Sequence, residues 1–460
     1  MSEIVTTWEY EVLGHDVMPH GPRRASAEVR KYLSVVAKDD AIALKASHHV
    51  GLFPIPAGEG QPAQLITVLP KVVPFATPGS QESAPTDTLK ALALFFDWVE
   101  ASQGTSRDVA DAKPEGGDLT AQVHDPAALF MLMLASRYAD TLRTLARRGL
   151  RRHYRREEET LHGRVRGRVR VVPYGRNLAL GRPDLVPVAW DEFTLDHEAN
   201  RLLRAAAEVL VARGVGLDAV CGQRMRGYFR VPLALLGEVE SGTFARHPPI
   251  SRAERDLRRL SPEYDRALGW ARLILAGNGT TRVDGRLGVL AINTNKVFED
   301  FALRIAERAM GSSDAVVKKT ALEMDVLEKS KGAATPDIVI SRVNHCLAIG
   351  DAKYKRVLSE PPPPEESEDV GNGVWKVRLA RADLYQLYTY MRLASALRGF
   401  FIVPRWNMNH DAAHWWPLQF GKAPPVDDAR LGVLFLNLAK PVADVMREGA
   451  EKLKKFLHEG

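Results

Sequence analysis

Asp337, Asp351 and Lys353 are the side chains of this sequence whose types and spacing best suit chemistry. Asp337 opens the stretch Thr335-Pro336-Asp337-Ile338-Val339-Ile340. A short turn at Arg342-Val343-Asn344-His345 leads to Leu347-Ala348-Ile349-Gly350-Asp351-Ala352-Lys353-Tyr354-Lys355. Both stretches read as apolar strands of one hairpin, and the second ends in charge where a buried strand would stay apolar. Strand side chains alternate between faces. Asp351 and Lys353 therefore point one way and Ala352 the other, while Asp337, at the start of the partner strand, can lie beside them. Two carboxylates and an ammonium on one sheet face suit Mg²⁺-assisted hydrolysis of a phosphodiester. Carboxylates ligate a hard cation through oxygen, the cation stabilises charge on the phosphate, and the lysine orients or deprotonates the attacking water. One or two ions suit such a set.

The elements around this hairpin have to hold it in place. An amphipathic helix over Lys296–Met310 precedes it, with Phe298-Glu299-Asp300-Phe301 near its start. Glu299 is a candidate third metal ligand and equally an ordinary solvent-facing acid. After the hairpin comes a Pro-rich, acidic insert over 359–373, which reads as an exposed loop. A second helix, Arg381 to Met391, and an apolar strand, Gly399 to Val403, complete the order. Gln386 on that helix is a candidate for orienting a water or a DNA group, and Lys355 for touching phosphate. The plain alternatives are a strand-end ion pair for Asp351 and Lys353, and a turn former for Asp337 after Pro336. The order helix, hairpin, helix, strand with P-D…D-x-K resembles the core of the restriction-endonuclease-like nucleases.

The 460-residue chain exceeds one ordinary core, so two or three domains are expected. With 45% hydrophobic and 26% charged residues it reads as globular rather than disordered or fibrous. No apolar run is long enough to span a bilayer, and Met1-Ser2-Glu3-Ile4 lacks the layout of a signal peptide. Cys221 and Cys346 are too few for a disulfide framework, and no Cys/His cluster has zinc spacing. A cytoplasmic protein without a membrane partner is the expectation. The net charge of +6 and a pI near 9.2 are compatible with a polyanionic partner. The charge is concentrated between Arg147 and Arg182, above all at Arg164, Arg166, Arg168 and Arg170. Those four are candidate contacts to DNA or to an acidic protein surface, since guanidinium suits bidentate phosphate binding. Glu157, Glu158 and Glu159 partly balance them. No G-x-x-x-x-G-K-[ST] phosphate loop is present, nor a helix-turn-helix or zinc-finger signature.

Along the chain, apolar runs punctuated by Gly and Pro predict a β-rich N-terminal module over 1–76. A linker with a short helix is expected over 77–125, a mixed α/β region over 126–284 and an α/β domain over 285–460. Asp125, Pro126 and Gly149 bracket a strong helix over Pro126 to Arg148. Val165, Val169 and Val171 alternate as in a strand, a helix is expected over Asp196 to Arg213, and 215–262 reads as less regular.

Together these blocks resemble the McrC family, the nuclease subunit of McrBC-type 5-methylcytosine-specific, modification-dependent restriction systems. Val50-Gly51-Leu52 and Leu69-Pro70-Lys71-Val72 resemble its β-rich leading module. Arg148-Gly149-Leu150 through Tyr154, with His162-Gly163-Arg164-Val165-Arg166-Gly167-Arg168, and Asp191-Glu192-Phe193-Thr194 with Asn200-Arg201-Leu202-Leu203, resemble its central blocks. Pro336-Asp337, Asp351-Ala352-Lys353-Tyr354 and Asp383-Leu384-Tyr385-Gln386-Leu387 match its nuclease motifs. The resemblance implies an α/β fold class with a PD-(D/E)xK core, a mixed sheet flanked by helices, at the C-terminus. It further implies a Mg²⁺-dependent endonuclease with Asp337, Asp351 and Lys353 as its centre. The middle region would dock on a separately encoded AAA+ GTPase motor, stimulate its hydrolysis, and leave recognition of modified cytosine in double-stranded DNA to it. The insert after Lys355 is longer than the family's usual connection. Two other functions stay open on the residues: a stand-alone nuclease of the same fold in repair or phage defence, and a non-catalytic regulatory subunit. The target modification, GTP versus ATP, the stoichiometry, and DNA versus motor as partner of Arg164–Arg170 are left open.

Overall fold

Short apolar runs broken by Gly and Pro make the N-terminal part β-rich. The computed structural model describes residues 3–13, 25–27, 29–38, 41–56, 64–71, 85–103, 125–217, 219–242, 244, 248–276, 289–311, 315–327, 330–343, 345–355, 379–405, 414–417 and 429–458. The Pro-rich insert over 359–373 lies outside the described residues. β1 (Glu3–Trp8), β2 (Val12–Leu13), β3 (Leu33–Lys38), β4 (Ala41–Ala46), β5 (His49–Ile55) and β6 (Gln64–Leu69) form two small sheets. One is the antiparallel set β2-β4-β3; in the other, β1 runs parallel to β6 and β5 antiparallel to it.

A mainly helical middle follows. α1 (Pro85–Ser102) and α2 (Pro126–Arg148) bury large apolar faces, including Phe95, Phe96, Phe130 and Tyr138. The bounds of α2 are those its caps predict. The Asp125 side chain accepts a hydrogen bond from the Ala127 amide at 2.9 Å, Pro126 occupies the first turn, and Gly149 ends the helix. Beyond it, β7 (His153–His162), β8 (Arg168–Val169), α3 (Val171–Ala179) and β9 (Leu185–Thr194) build a three-stranded antiparallel sheet, β7-β9-β8. The strand reading of the arginine segment thus moves: the long strand precedes the valines, and the chain turns helical at Val171. Pro173 cannot donate within a sheet ladder but is tolerated in a first helical turn.

α4 (Glu198–Leu217), α5 (Ala219–Leu235), α6 (Arg252–Leu260) and α7 (Pro262–Ala276) come next. The expectation of irregular chain over 215–262 is corrected here, because α5 and α6 are regular helices. Gly222 and Gly214 explain the first. A Cβ on Gly222 would stand 2.9 Å from the Val215 Cα, and one on Gly214 would stand 2.3 Å from the Met225 Cγ. Both glycines permit close approach of α4 and α5 rather than breaking them.

The last third begins with β10 (Leu290–Asn293), which pairs antiparallel with β5 and so joins the N-terminal sheet. Asn293 then caps α8 (Thr294–Met310), accepting from the Lys296 amide at 3.0 Å. β11 (Val316–Lys318), β12 (Leu322–Leu327), β13 (Ser330–Ala334), β14 (Ile338–Arg342), β15 (His345–Ala352), α9 (Arg381–Leu393), β16 (Arg398–Arg405), β17 (His414–Pro417), β18 (Arg430–Asn437) and α10 (Val442–His458) complete the chain. Six of these strands form one mixed sheet in the order β11-β14-β15-β16-β18-β17, with β15, β16 and β18 parallel. The helix, hairpin, helix, strand order read from the sequence is present, with α10 and the strands β11 to β13 in addition. Ile338, Ile340, Ala348, Phe400 and Ile402 pack toward α8 and α10, and Val339, Ile349, Phe401 and Val403 toward α9. No described helix is long and apolar enough to cross a membrane.

Glu9 ties the two ends of the chain together. It is fully buried, its Oε1 accepts from the Thr294 hydroxyl at 2.5 Å, and its Oε2 accepts from the Lys71 amide at 3.0 Å and the Tyr354 hydroxyl at 3.2 Å. Burial pushes its carboxyl up to about 7, against the pull of those donors. An unfolded glutamate ionises near 4.5, so this group favours the folded state below that pH, and its contribution is lost as the pH rises to about 7. Glu9→Gln should therefore flatten a fall in stability of about 3 kcal/mol across that interval, measured by urea melts between pH 4.5 and 7.5.

Candidate active site

Register brings the two aspartates together. Ile338 of β14 is paired with Gly350 of β15, so one step further Asp337 stands across from Asp351. Parity puts both, with Lys353, on the side of the sheet that carries Val339, Ile349 and α9, while Ala352 packs with Phe298 and Tyr354 on the other. The bulge between Ile340 and Ser341 shifts only the far end of the hairpin.

The carboxylates are nearly inaccessible, Asp351 being 2% exposed and Asp337 8%. Asp337 Oδ2 accepts a hydrogen bond from the Ala352 amide at 3.0 Å. A bond of this kind to a charged acceptor contributes about 1.5–3 kcal/mol and locks Asp337 onto its partner strand. Asp337 Oδ1 accepts from Lys319 Nζ at 2.9 Å, and the same ammonium donates to Glu299 Oε2 at 3.0 Å. Lys353 Nζ lies 2.7 Å from Asp351 Oδ2 and donates to Gln386 Oε1 at 3.1 Å. The Gln386 amide nitrogen donates to the Tyr390 hydroxyl at 2.7 Å, which leaves its oxygen facing the lysine. Asp383 Oδ1 is 3.9 Å from Lys353 Nζ, and its Oδ2 pairs with Lys355.

Charge balance follows from these contacts. Burial pushes the Asp351 carboxyl up to about 6; Lys353 draws it down and the neighbouring Asp337 pushes it further up. Burial alone would lower the Lys353 ammonium, but Asp351, Asp383 and Asp337 outweigh it and hold the group above its ordinary value. Asp351 Oδ2 is buried and accepts no well-directed hydrogen bond from the described residues, despite the nearby ammonium. A buried, under-satisfied carboxylate oxygen beside a second carboxylate is a donor set that fits a hard divalent cation. Mg²⁺ is commonly held by one or two carboxylates with water completing its shell.

Asp337, Asp351, Lys353 and Gln386 are thus brought together, as the sequence suggested. Glu299 reaches the pair only through Lys319, and no group of three or more His, Cys, Asp or Glu among the described residues is arranged to hold a metal ion. Asp300 pairs with Lys296 at 2.5 Å, away from the centre. Lys355 is tied to Asp383. Arg164, Arg166, Arg168 and Arg170 are all exposed on or beside β8, in the three-stranded sheet rather than the six-stranded one. Arg170 pairs with Glu158 at 2.7 Å, and Arg166 lies over the Trp190 ring at 4.3 Å. Lys319 was missed in the sequence, and Asp383 was read there as part of a matching motif but given no role of its own. That role could have been found, because Asp383 precedes Gln386 by one helical turn and shares its face. Lys319 carries no such signal.

The profile of the family described as McrBC 5-methylcytosine restriction system component matches residues 44–404. Among solved structures, one similar chain belongs to a refined half-complex from a tetradecameric assembly of Thermococcus gammatolerans McrB AAA+ hexamers with bound McrC. It is 16% identical, the match covers 98% of this chain and 100% of that one, and the TM-score is 0.51. Another belongs to the cryo-EM structure of the Thermococcus gammatolerans McrBC complex, at 16% identity over 67% of this chain and 89% of that one, with a TM-score of 0.37. No curated protein matches. The first likeness speaks for a shared fold, and the profile match spans most of the sequence. The chain belongs to the McrBC 5-methylcytosine restriction system component family.

Proposed function

We propose that this chain is the nuclease subunit of its restriction system, a Mg²⁺-dependent endonuclease of the restriction-endonuclease-like, PD-(D/E)xK type. In this reading it cuts double-stranded DNA carrying modified cytosine when assembled with an AAA+ GTPase motor, whose hydrolysis it stimulates. The observation that carries it is the convergence of Asp337, Asp351 and Lys353 at the ends of β14 and β15, with Asp351 Oδ2 left under-satisfied.

Asp337 and Asp351 would hold Mg²⁺, which when bound supplies positive charge to offset that developing on the cleaved phosphate. The chain's own groups do the rest. The Ala352 amide and the hairpin register keep the two carboxylates aimed at one point. Lys353, kept protonated by its acidic neighbours, acts as a hydrogen-bond donor that orients phosphate or water rather than as a proton acceptor. Gln386, braced by Tyr390, fixes that ammonium and limits its rotamers.

The partner assignment is supported by the three-stranded sheet. α3 buries none of its residues, and Val171, Val172 and Leu180 are more than 70% exposed beside the exposed arginines. Apolar side chains left in water alongside charge mark a protein-docking surface more than a bare phosphate track. The structures that contain McrB AAA+ hexamers with bound McrC make an AAA+ motor the natural occupant.

Asp351→Ala should lower Mg²⁺-dependent DNA cleavage by about a thousandfold or more, several kcal/mol of transition-state stabilisation. Motor binding and nucleotide hydrolysis should stay intact, measured in the same reconstituted complex; joint loss of all three would make the residue structural. The double substitution Val171→Asp, Leu180→Asp should weaken motor binding by about tenfold or more. Its melting temperature should not move, and unchanged affinity in a pull-down titration would remove α3 from the docking surface.

A further inference from the structure

Lys319 is a strongly engaged side chain near the carboxylates that the nuclease reading leaves without a task. It follows β11 directly, and because Lys318 pairs with Val339, the next position lies beside the start of β14. From there its ammonium is shared by two acids of different elements, Asp337 Oδ1 at 2.9 Å and Glu299 Oε2 at 3.0 Å. Glu299 comes from α8, on the far side of the sheet from α9, and Lys319 is what joins it to Asp337 among the described residues. Its other cationic neighbour, Lys296, is 3.9 Å away and is occupied by Asp300.

We infer that Lys319 is a built-in cation that takes the position a second divalent ion would fill, so that the centre binds a single Mg²⁺ between Asp337 and Asp351. This rests on the proposed nuclease reading and deepens it. Oxygen ligands of Mg²⁺ stand at about 2.0–2.1 Å from the ion, whereas an ammonium holds its acceptors at about 2.7–2.9 Å. The ammonium between Glu299 and Asp337 already supplies the positive charge that a divalent ion would bring to those two oxygens. Lys319 is therefore a positioning residue. It neutralises Glu299, holds the outer oxygen of Asp337, and leaves the inner side of the pair to the metal.

The test is Mn²⁺ binding to the intact chain by titration calorimetry, without DNA and without any assay of cleavage. Wild type should bind one ion per chain. Lys319→Met should bind two, because Glu299 and Asp337 are freed to ligate. Lys319→Arg should remain at one, since the charge is restored. Glu299→Gln should leave the wild-type count unchanged, yet return Lys319→Met from two to one. Two ions in the wild type would overturn the inference, as would one ion in Lys319→Met at an affinity within twofold of wild type. No ion in any form would instead sink the metal reading of the centre, so the two failures are distinguishable. Should Lys319→Met not fold by circular dichroism, Lys319→Gln, which removes the charge and keeps a polar tip, carries the same expectations.

Discussion

Two carboxylates facing each other across an antiparallel strand pair repel one another, and everything around residues 337 and 351 works against that repulsion. At an effective dielectric of about 20, two unit charges about 4 Å apart interact by about 4 kcal/mol, a large share of a domain's net stability. The structure offsets this with an amide from Ala352 and two ammonium groups, one on each flank. Apolar layers on both faces of the sheet keep the hairpin from shearing to separate the pair. The arrangement is stable enough to form, with the Lys353 ammonium 2.7 Å from Asp351 Oδ2.

Much of this centre was legible in the sequence because it depends on local rules. Period-two alternation is enough to put Asp351 and Lys353 on one face, and a short hairpin turn is enough to bring Asp337 opposite. Helix ends were equally readable at Asp125 and Gly149, where side-chain capping sets the boundary. Glu299 was not, since its distance from the aspartates depends on how α8 sits behind the sheet and on Lys319 arriving from an edge strand. The irregular reading of 215–262 failed for a related reason. Gly222, Gly227 and Pro232 argue against helix locally, yet packing of α5 on α4 overrides propensity. The arginine segment misled through its valines, whose alternation runs on to Val171, past the end of β8 at Val169 and into the start of α3.

The chain also separates two kinds of surface. The six-stranded sheet keeps its acids and lysines in a closed cluster, each charge answered within a few ångströms. The β7-β9-β8 sheet also pairs several of its arginines, yet it leaves them and apolar side chains exposed to water around a helix with no buried residue. Between them, α1, α2, α4 and α7 share one continuous core with α8 and α10.

The buried contact between Glu9 and Tyr354 joins residues 345 positions apart. Tyr354 directly follows Lys353, and β10, from the same late part of the chain, supplies the edge of the N-terminal sheet. Translation delivers the first of these residues long before the last. The N-terminal sheet must therefore wait, short of a strand and with a carboxyl lacking its Thr294 and Tyr354 donors, until the final third emerges from the ribosome. A partly made polypeptide therefore cannot close its own first sheet, because the edge strand and the tyrosine that seals the buried carboxyl both belong to the last third of the sequence.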